Sequence, residues 1–413
     1  MAHGSVPSPV TEARLEQYVG RLAAVIGHVD RVAPLRAYCR GLLLKDVRKS
    51  VESIACSVAG EDVGAMHQSL HHFISSSNWS DRKVLDVARD VALQTLAERN
   101  RPMSWVICDS GFVKKGEHTV GVAQKFCQRI GRRANCQSAV FLFMSTGDVT
   151  LPISQRLYLP ESWARDAARR RRAGVPEGLP FQTRAQIALQ QIRQAIANGV
   201  PTGAISAGTT YGDDHRFRAE IARLEIPYVL AVRGSTELSA VHDSSFDPEP
   251  VAPMDVKALA ATLPPGRFRQ IRWQHLSDWQ ISRFAALRVT PRSARRQEPE
   301  WLLIEWPDGA AEPQRYWLST LPADSALEHL VEMSQRSWRG EACYRILKEE
   351  IGLGHYEGRG WKGYHHHATL CIAIYNWLLS TRVSGEGEPS RASGFRQVAR
   401  PATRESRQAT FAT

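Results

Sequence analysis

Asp109 closes an apolar, strand-like run (Trp105, Val106, Ile107, Cys108) and is followed by Ser110, Gly111, Phe112 and the basic pair Lys114–Lys115. A carboxylate at the end of a buried strand, beside a lysine-rich turn, suits metal-assisted chemistry on a phosphate. Hard divalent cations take oxygen ligands, and polyanions need Lys or Arg nearby. The blander reading is a polar strand terminus of the kind many α/β folds carry. Further acids stand far downstream, Glu349 and Glu350 in the helical string RILKEEIGLG. A helical glutamate packed across a sheet edge could reach a cation held at a central strand, although an exposed Glu–Glu pair on a charged helix has the same spacing. Just beyond it, Tyr356, Arg359, Trp361, Lys362 and His365–His367 mix aromatic, basic and imidazole groups, which suits stacking on bases and contact with phosphates. Three consecutive helical histidines point to different sides, so a zinc site there is disfavoured. Ser–His–Asp hydrolysis has no GxSxG string to support it, and no P-loop is present.

These groups must be positioned by a sizeable protein. The chain has 413 residues, enough for two or three domains, and 43% are hydrophobic, so most of it should fold. With 53 Lys+Arg against 42 Asp+Glu the formal net charge is +11, which points to an anionic partner, most often nucleic acid. A basic but merely solvated surface is the alternative. No apolar run is long enough to span a membrane, and residues 1–17 lack a secretion signal. The 7 cysteines are scattered without CxxC spacing, which fits a reducing compartment.

The pattern divides the chain into segments. Residues 1–100 read as helices, over about 10–29, 34–44, 45–60, 63–75 and 81–99, with Pro34 separating the first two and Ser80 capping the last. Arg36, Arg40, Lys45, Arg48 and Lys49 interleave with the apolar positions, as in a compact helical DNA-contacting domain or any basic bundle. From Ser104 a strand-rich meander follows, then helices around the run Arg169–Arg172, then alternating helices and strands to 234: a mixed α/β unit. The run of arginines suits either phosphate contact or a solvated cluster. Residues 235–335 read as a β-rich insertion, 336–382 as two helices, and 383–413 as a disordered basic tail.

Taken together, DSGFVKKGEHTVGVAQKF, NCQSAVFLFMSTGD, LPISQRLYLPESWARD, AGTTYGDDHRFR, IPYVLAVRG and KEEIGLGHYEGRGWKGYHHHATL occur in an order that resembles bacterial insertion-sequence transposases of the DDE type. The resemblance covers roughly residues 30–380. It implies an RNase H-like α/β core with a helical N-terminal domain, a β-rich insertion before the last acid, and two Mg²⁺ (or Mn²⁺) held by three carboxylates. One metal would activate water or a DNA 3′-hydroxyl for in-line attack and the other would stabilise the leaving oxygen. Carried over residue by residue, Asp109 falls in the first acidic motif, where relatives commonly have two adjacent acids and this chain has Cys108 first. The second acid, three residues before Tyr211-Gly212, is replaced by Gly208; Asp213 or Asp214 could stand in only if the loop folded back. The third matches Glu350, with Glu349 as the register alternative. Lys114, Lys115, Arg359 and Lys362 would contact DNA.

The activity implied is cleavage and joining of double-stranded DNA at transposon ends, by a homo-oligomer assembled on the DNA, in the bacterial cytoplasm at the nucleoid. The alternative is a decayed or domesticated relative that binds DNA without cutting it. Outside the family, a basic RNA-binding or structural protein is the remaining reading.

Overall fold

The computed structural model describes residues 9–97, 103–127, 131–146, 149–242, 254–275, 278–292 and 299–383. The tail expected to be disordered lies outside the described residues from 384 onward, as does most of the Pro- and Asp-rich stretch 244–255.

Five helices lead: α1 (Pro9–Ala23), α2 (Val32–Leu43), α3 (Val51–Val58), α4 (Val63–Ser75) and α5 (Asp81–Ala97). Ser50, Asp62 and Ser80 accept the backbone N–H groups of Ser53, Ala65 and Lys83, so three of these helices begin at side-chain caps. The helix expected from residue 45 therefore starts only at Val51. Pro34 lies inside the first turn of α2, where its missing N–H leaves no bond unmade, rather than between helices.

Next come β1 (Ser104–Val113), β2 (Ala123–Cys127), β3 (Arg132–Ser145) and β4 (Thr150–Tyr158). The strand expected from His118 begins only at Ala123. Thr119–Val122 is instead a turn held by side chains, with Gln137 Nε2 donating to the Val120 carbonyl and Trp163 Nε1 to that of Val122. Then follow α6 (Glu161–Ala164), α7 (Ala167–Arg172), α8 (Arg184–Ala197), β5 (Ala204–Ala207), α9 (Thr209–Gly212), α10 (His215–Arg223) and β6 (Tyr228–Val232). The remainder is β7 (Glu237–Val241), β8 (Met254–Asp255), α11 (Val256–Thr262), β9 (Arg269–His275), β10 (Asp278–Pro291), β11 (Glu300–Pro307), β12 (Arg315–Ser319), α12 (Leu327–Glu349) and α13 (Trp361–Val383).

β1 is central. It pairs antiparallel with β3, which pairs with β4, and parallel with β5, which pairs parallel with β6. The order β4-β3-β1-β5-β6, with this mixture of directions, is the RNase H-like core. The β-rich insertion does not stand apart. Its β12 pairs with β6, and the ladder continues through β11, β10, β7 and β8 in one 12-stranded sheet.

Two long helices close the fold. α12 lies across β1, and two hydrogen bonds fix its register: Ser206 Oγ to the Met333 carbonyl at 2.9 Å and Arg336 Nη1 to Ser104 Oγ at 2.7 Å. Gly340 lets it approach closely, since a Cβ there would stand 2.7 Å from Val106 Cγ1. α13 is buried on nearly every side from Gly363 to Trp377 and is shared by the sheet and the leading helices. A helix apolar all round belongs in a core. Burying each of Leu370, Ile372 and Ile374 contributes about 1.5–3 kcal/mol, enough to carry polar groups inside if they are hydrogen-bonded. They are. Tyr38 Oη donates to His367 Nδ1 at 2.7 Å while His367 Nε2–H reaches the Gly352 carbonyl at 3.0 Å. His366 lies between the carbonyls of Ile74 and Trp79, and Tyr18 Oη donates to the Ala373 carbonyl. His366 and His367 thus fasten α13 to the leading helices.

Candidate active site

The parallel register of β1 and β5 sets Ile107 opposite Ala207, so Asp109 and Gly208 follow the last paired residues of neighbouring strands. β5 ends at Ala207, whereas the strand expected to end at Asp109 runs on to Val113 in its ladder with β3. The carboxyl end of a parallel strand is where open α/β sheets receive ligands. Gly208 is the N-cap of α9 with φ −77° and ψ −179°, ordinary extended backbone, and a Cβ there would meet open space. Neither backbone nor packing requires glycine, and the position would accommodate a carboxylate.

Across from them, α12 delivers a different acid from the one expected. Met333, Arg336 and Gly340 face the sheet, and Glu341 follows the glycine into the same cleft of about 300 Å³ as Asp109, Gly208 and Tyr211. Partial burial, then the charge of Asp109, raises the Glu341 carboxyl above its ordinary range. The Cys108 thiol, which occupies the other register of the first motif, is raised by burial and then by Glu341 and Asp109.

Glu350 is not part of this constellation. It is the C-cap of α12, nine residues beyond Glu341, about 13 Å along the axis at the helical rise. Burial raises its carboxyl, opposed by Arg382 and Arg345, and Glu349 is an exposed neighbour. The KEEIGLG string ends the helix there: Gly352 has φ 91°, a left-handed conformation that glycine adopts without strain. Asp213 and Asp214 are engaged elsewhere. Asp213 accepts from the Arg233 backbone N–H at 3.0 Å and pairs with its guanidinium, and Asp214 caps α10 through Arg216 and Phe217.

Asp109 itself faces a cation. Arg184 Nε stands 2.9 Å from Asp109 Oδ2, on the first residue of α8, whose start is fixed by a capping box between Thr183 and Gln186. The Tyr211 phenol, buried beside this pair, holds its proton more tightly through burial and then through the Asp109 charge. Among the described residues the acids lining the cleft are Asp109 and Glu341, and no group of three metal-ligating side chains occurs. The donor set therefore does not fit two divalent cations bridged by three carboxylates.

The basic residues separate by parity. Lys114 turns inward: its Nζ donates to the Tyr356 carbonyl at 2.7 Å, and burial, reinforced by Arg48, pulls its ammonium down to about 8 against the opposing effect of Glu357. That commits it to joining β1 to the loop before α13 rather than to a phosphate. Lys115 and Arg359 are exposed and Lys362 is half-buried. In the arginine run, Arg169 lies over the Trp163 ring and Arg170 donates to the carbonyls of Pro176 and Leu179, while Arg171 and Arg172 face solvent.

Residues 21–295 match the family described as DDE superfamily endonuclease, and the chain belongs to it. It is also 26% identical, over 189 residues, to a probable transposase for insertion sequence element IS701 of Microchaete diplosiphon. That alignment covers 46% of this chain and 45% of the relative, so the chain spans about half the length of the curated protein it matches. No helix among the described residues is long and apolar enough to cross a membrane.

Sequence reasoning missed Glu341. The one usable signal was Gly340. A glycine inside a long helix is unfavourable by about 1 kcal/mol relative to alanine, so it marks a close approach to the sheet, and the acid beside it is placed at the contact.

Proposed function

We propose that this chain is a transposase-type protein that grips double-stranded DNA at transposon-end sequences and does not cleave it unaided. The observation that carries this reading is Gly208 at the end of β5. Two-metal phosphoryl transfer needs oxygen ligands around both cations, and here the cleft offers Asp109 and Glu341 with Asp109 already opposed by Arg184. Mg²⁺, with Mn²⁺ as its usual substitute, remains the cation the family chemistry would use.

Binding rests on charge. The chain carries +11, and Lys45, Lys115, Arg171, Arg172 and Arg359 are exposed. In the leading helices Arg36 and Arg40 pair with Glu16, Arg40 also with Glu12, and Arg48 with Glu357. Exposed pairs of this kind are worth under about 1 kcal/mol and exchange readily for phosphate. The helical region up to residue 100 is proposed as the main duplex contact, with assembly into a homo-oligomer on the DNA.

One observation favours the active alternative: Asp109 and Glu341 still share a cleft. The deciding experiment incubates the protein with duplex carrying the inverted repeats that flank its gene, with Mg²⁺ or Mn²⁺, and measures both binding and nicking. Salt-sensitive binding without nicking is expected. Nicking by the unaltered protein would overturn the loss of cleavage, and binding indifferent to salt would overturn the electrostatic grip.

A further inference from the structure

The two faces of the β9–β10–β11 ladder differ. On one, Trp273, Phe284, Leu303 and Trp317 pack with Leu330, Val331 and Met333 of α12. On the other, register brings Arg272 opposite Ile281, Gln274 opposite Trp279 and Gln270 opposite Arg283, and β11 adds Trp306 opposite Arg283. Opposite residues share a face, so arginines alternate with large apolar groups there. Trp279 is 47% exposed and Ile281 45%, adjacent positions of this face on a strand whose partner β9 pairs with no other strand among the described residues.

Both arginines lie over indole rings. The Arg272 guanidinium is 4.4 Å from the Trp279 ring centroid, and that of Arg283 is 4.1 Å from Trp306. Neither makes an ion pair with a described residue, and the nearby carboxylate of Glu305 lies on the opposite, buried face with Ser282. A patch with exposed indole, guanidinium and glutamine amides, and no acid among the paired positions 270, 272, 274, 279, 281 and 283, is complementary to an anion that also has flat apolar surfaces.

We propose that this face binds single-stranded DNA, with an unpaired base stacking on Trp279 and Ile281 and Arg272 and Arg283 contacting the flanking phosphates. Duplex DNA hides the faces of its bases and offers Trp279 nothing to stack on, whereas unpaired bases gain from both groups. The proposal rests on the reading that this chain binds DNA but assigns a second substrate form to a second surface.

The test is fluorescence anisotropy of the full chain with labelled oligo(dT), longer than the ~4–16 nucleotides a single binding fold covers, and in parallel with an inverted-repeat duplex. Trp279→Ala should weaken oligo(dT) binding by about tenfold, the scale of one lost base-stacking contact, and leave duplex binding unchanged. Trp279→Phe should restore most of the loss, and Arg272→Glu should weaken oligo(dT) binding in a salt-dependent way. Both positions are exposed, so the fold should tolerate the changes. Equal oligo(dT) binding by Trp279→Ala overturns the proposal, as does an equal loss on both DNA forms. Duplex binding without oligo(dT) binding overturns this surface alone. Oligo(dT) binding without duplex binding supports it while removing the transposon-end reading.

Discussion

Arg184 stands 2.9 Å from Asp109 and at the same time lies over the Tyr158 ring, 4.3 Å from its centroid. One side chain therefore ties the start of α8 to β4 and to the middle of β1. It also places a fixed positive charge against the acid that β1 contributes to the cleft. A guanidinium cannot lose its proton at working pH, so it competes with any cation for that carboxylate.

Metal uptake should follow this competition. Gly208→Asp adds a carboxylate where there is room for it and should create saturable Mn²⁺ binding, read by the loss of the free-ion electron paramagnetic signal. Adding Arg184→Ala should tighten it by roughly tenfold, about 1.4 kcal/mol. If the second change alters nothing, the arginine is not a competitor. Restored nicking by Gly208→Asp would show that the remaining site is sound, and no Mn²⁺ binding by either variant would count against the cleft as the family's metal site.

The close contact of α12 with β1 gives a stability prediction. Gly340→Ala puts a Cβ against Val106, 2.7 Å away before relaxation, and should cost about 1–3 kcal/mol in urea unfolding, as overpacked cores do. It should also move Glu341 away from Asp109. An unchanged midpoint would mean that the Val106 side chain yields to the added methyl without cost.

Acid sensitivity should come from α13. His367 is wholly buried, and burial lowers its imidazole from 6.5 to about 3, against the raising effect of its bond to Gly352. The folded form keeps the ring neutral while the unfolded chain protonates it below 6.5. Protons therefore favour unfolding, and stability should fall progressively as pH drops from 6.5 toward 3. Denaturation series across that range should show a shallower decline for His367→Gln, whatever the offset between the two proteins at neutral pH. Parallel curves would exclude the histidine as the source.

The two adjacent lysines of the first motif should part company. Lys115→Ala should weaken duplex binding across sequences and reduce the salt slope by about 1, leaving thermal stability alone. Lys114→Ala should do the reverse, because it removes the donor to the Tyr356 carbonyl. Matching losses of affinity from both would mean that Lys114 also reaches phosphate.

What the sequence revealed divides along physical lines. Strands β5, β6 and β9–β12 and helices α4, α8 and α10 could be placed from periodicity and breakers, and Asp109 from the apolar run it ends. Gly208 was singled out only by the resemblance, which implies an acid three residues before Tyr211-Gly212. Glu341 was not singled out, for α12 is buried on several sides and its acids show no single exposed stripe against which one stands out. The inward turn of Lys114 was equally hidden. Adjacent residues at a strand end point opposite ways, and only the partner loop, 242 positions away, decides which is inside. Helix α11 was lost in a Pro-rich stretch too short to show a period.

Because α13 is held by the leading helices on one flank and by the sheet on the other, the described residues join those helices and the cleft through one shared core. Tyr375 donates to the Thr150 carbonyl on the sheet side just as Tyr38 grips His367 on the other. A duplex bound across both would be presented at one set angle, like a rod in a jig, and any bending needed for a fit would have to come from the nucleic acid.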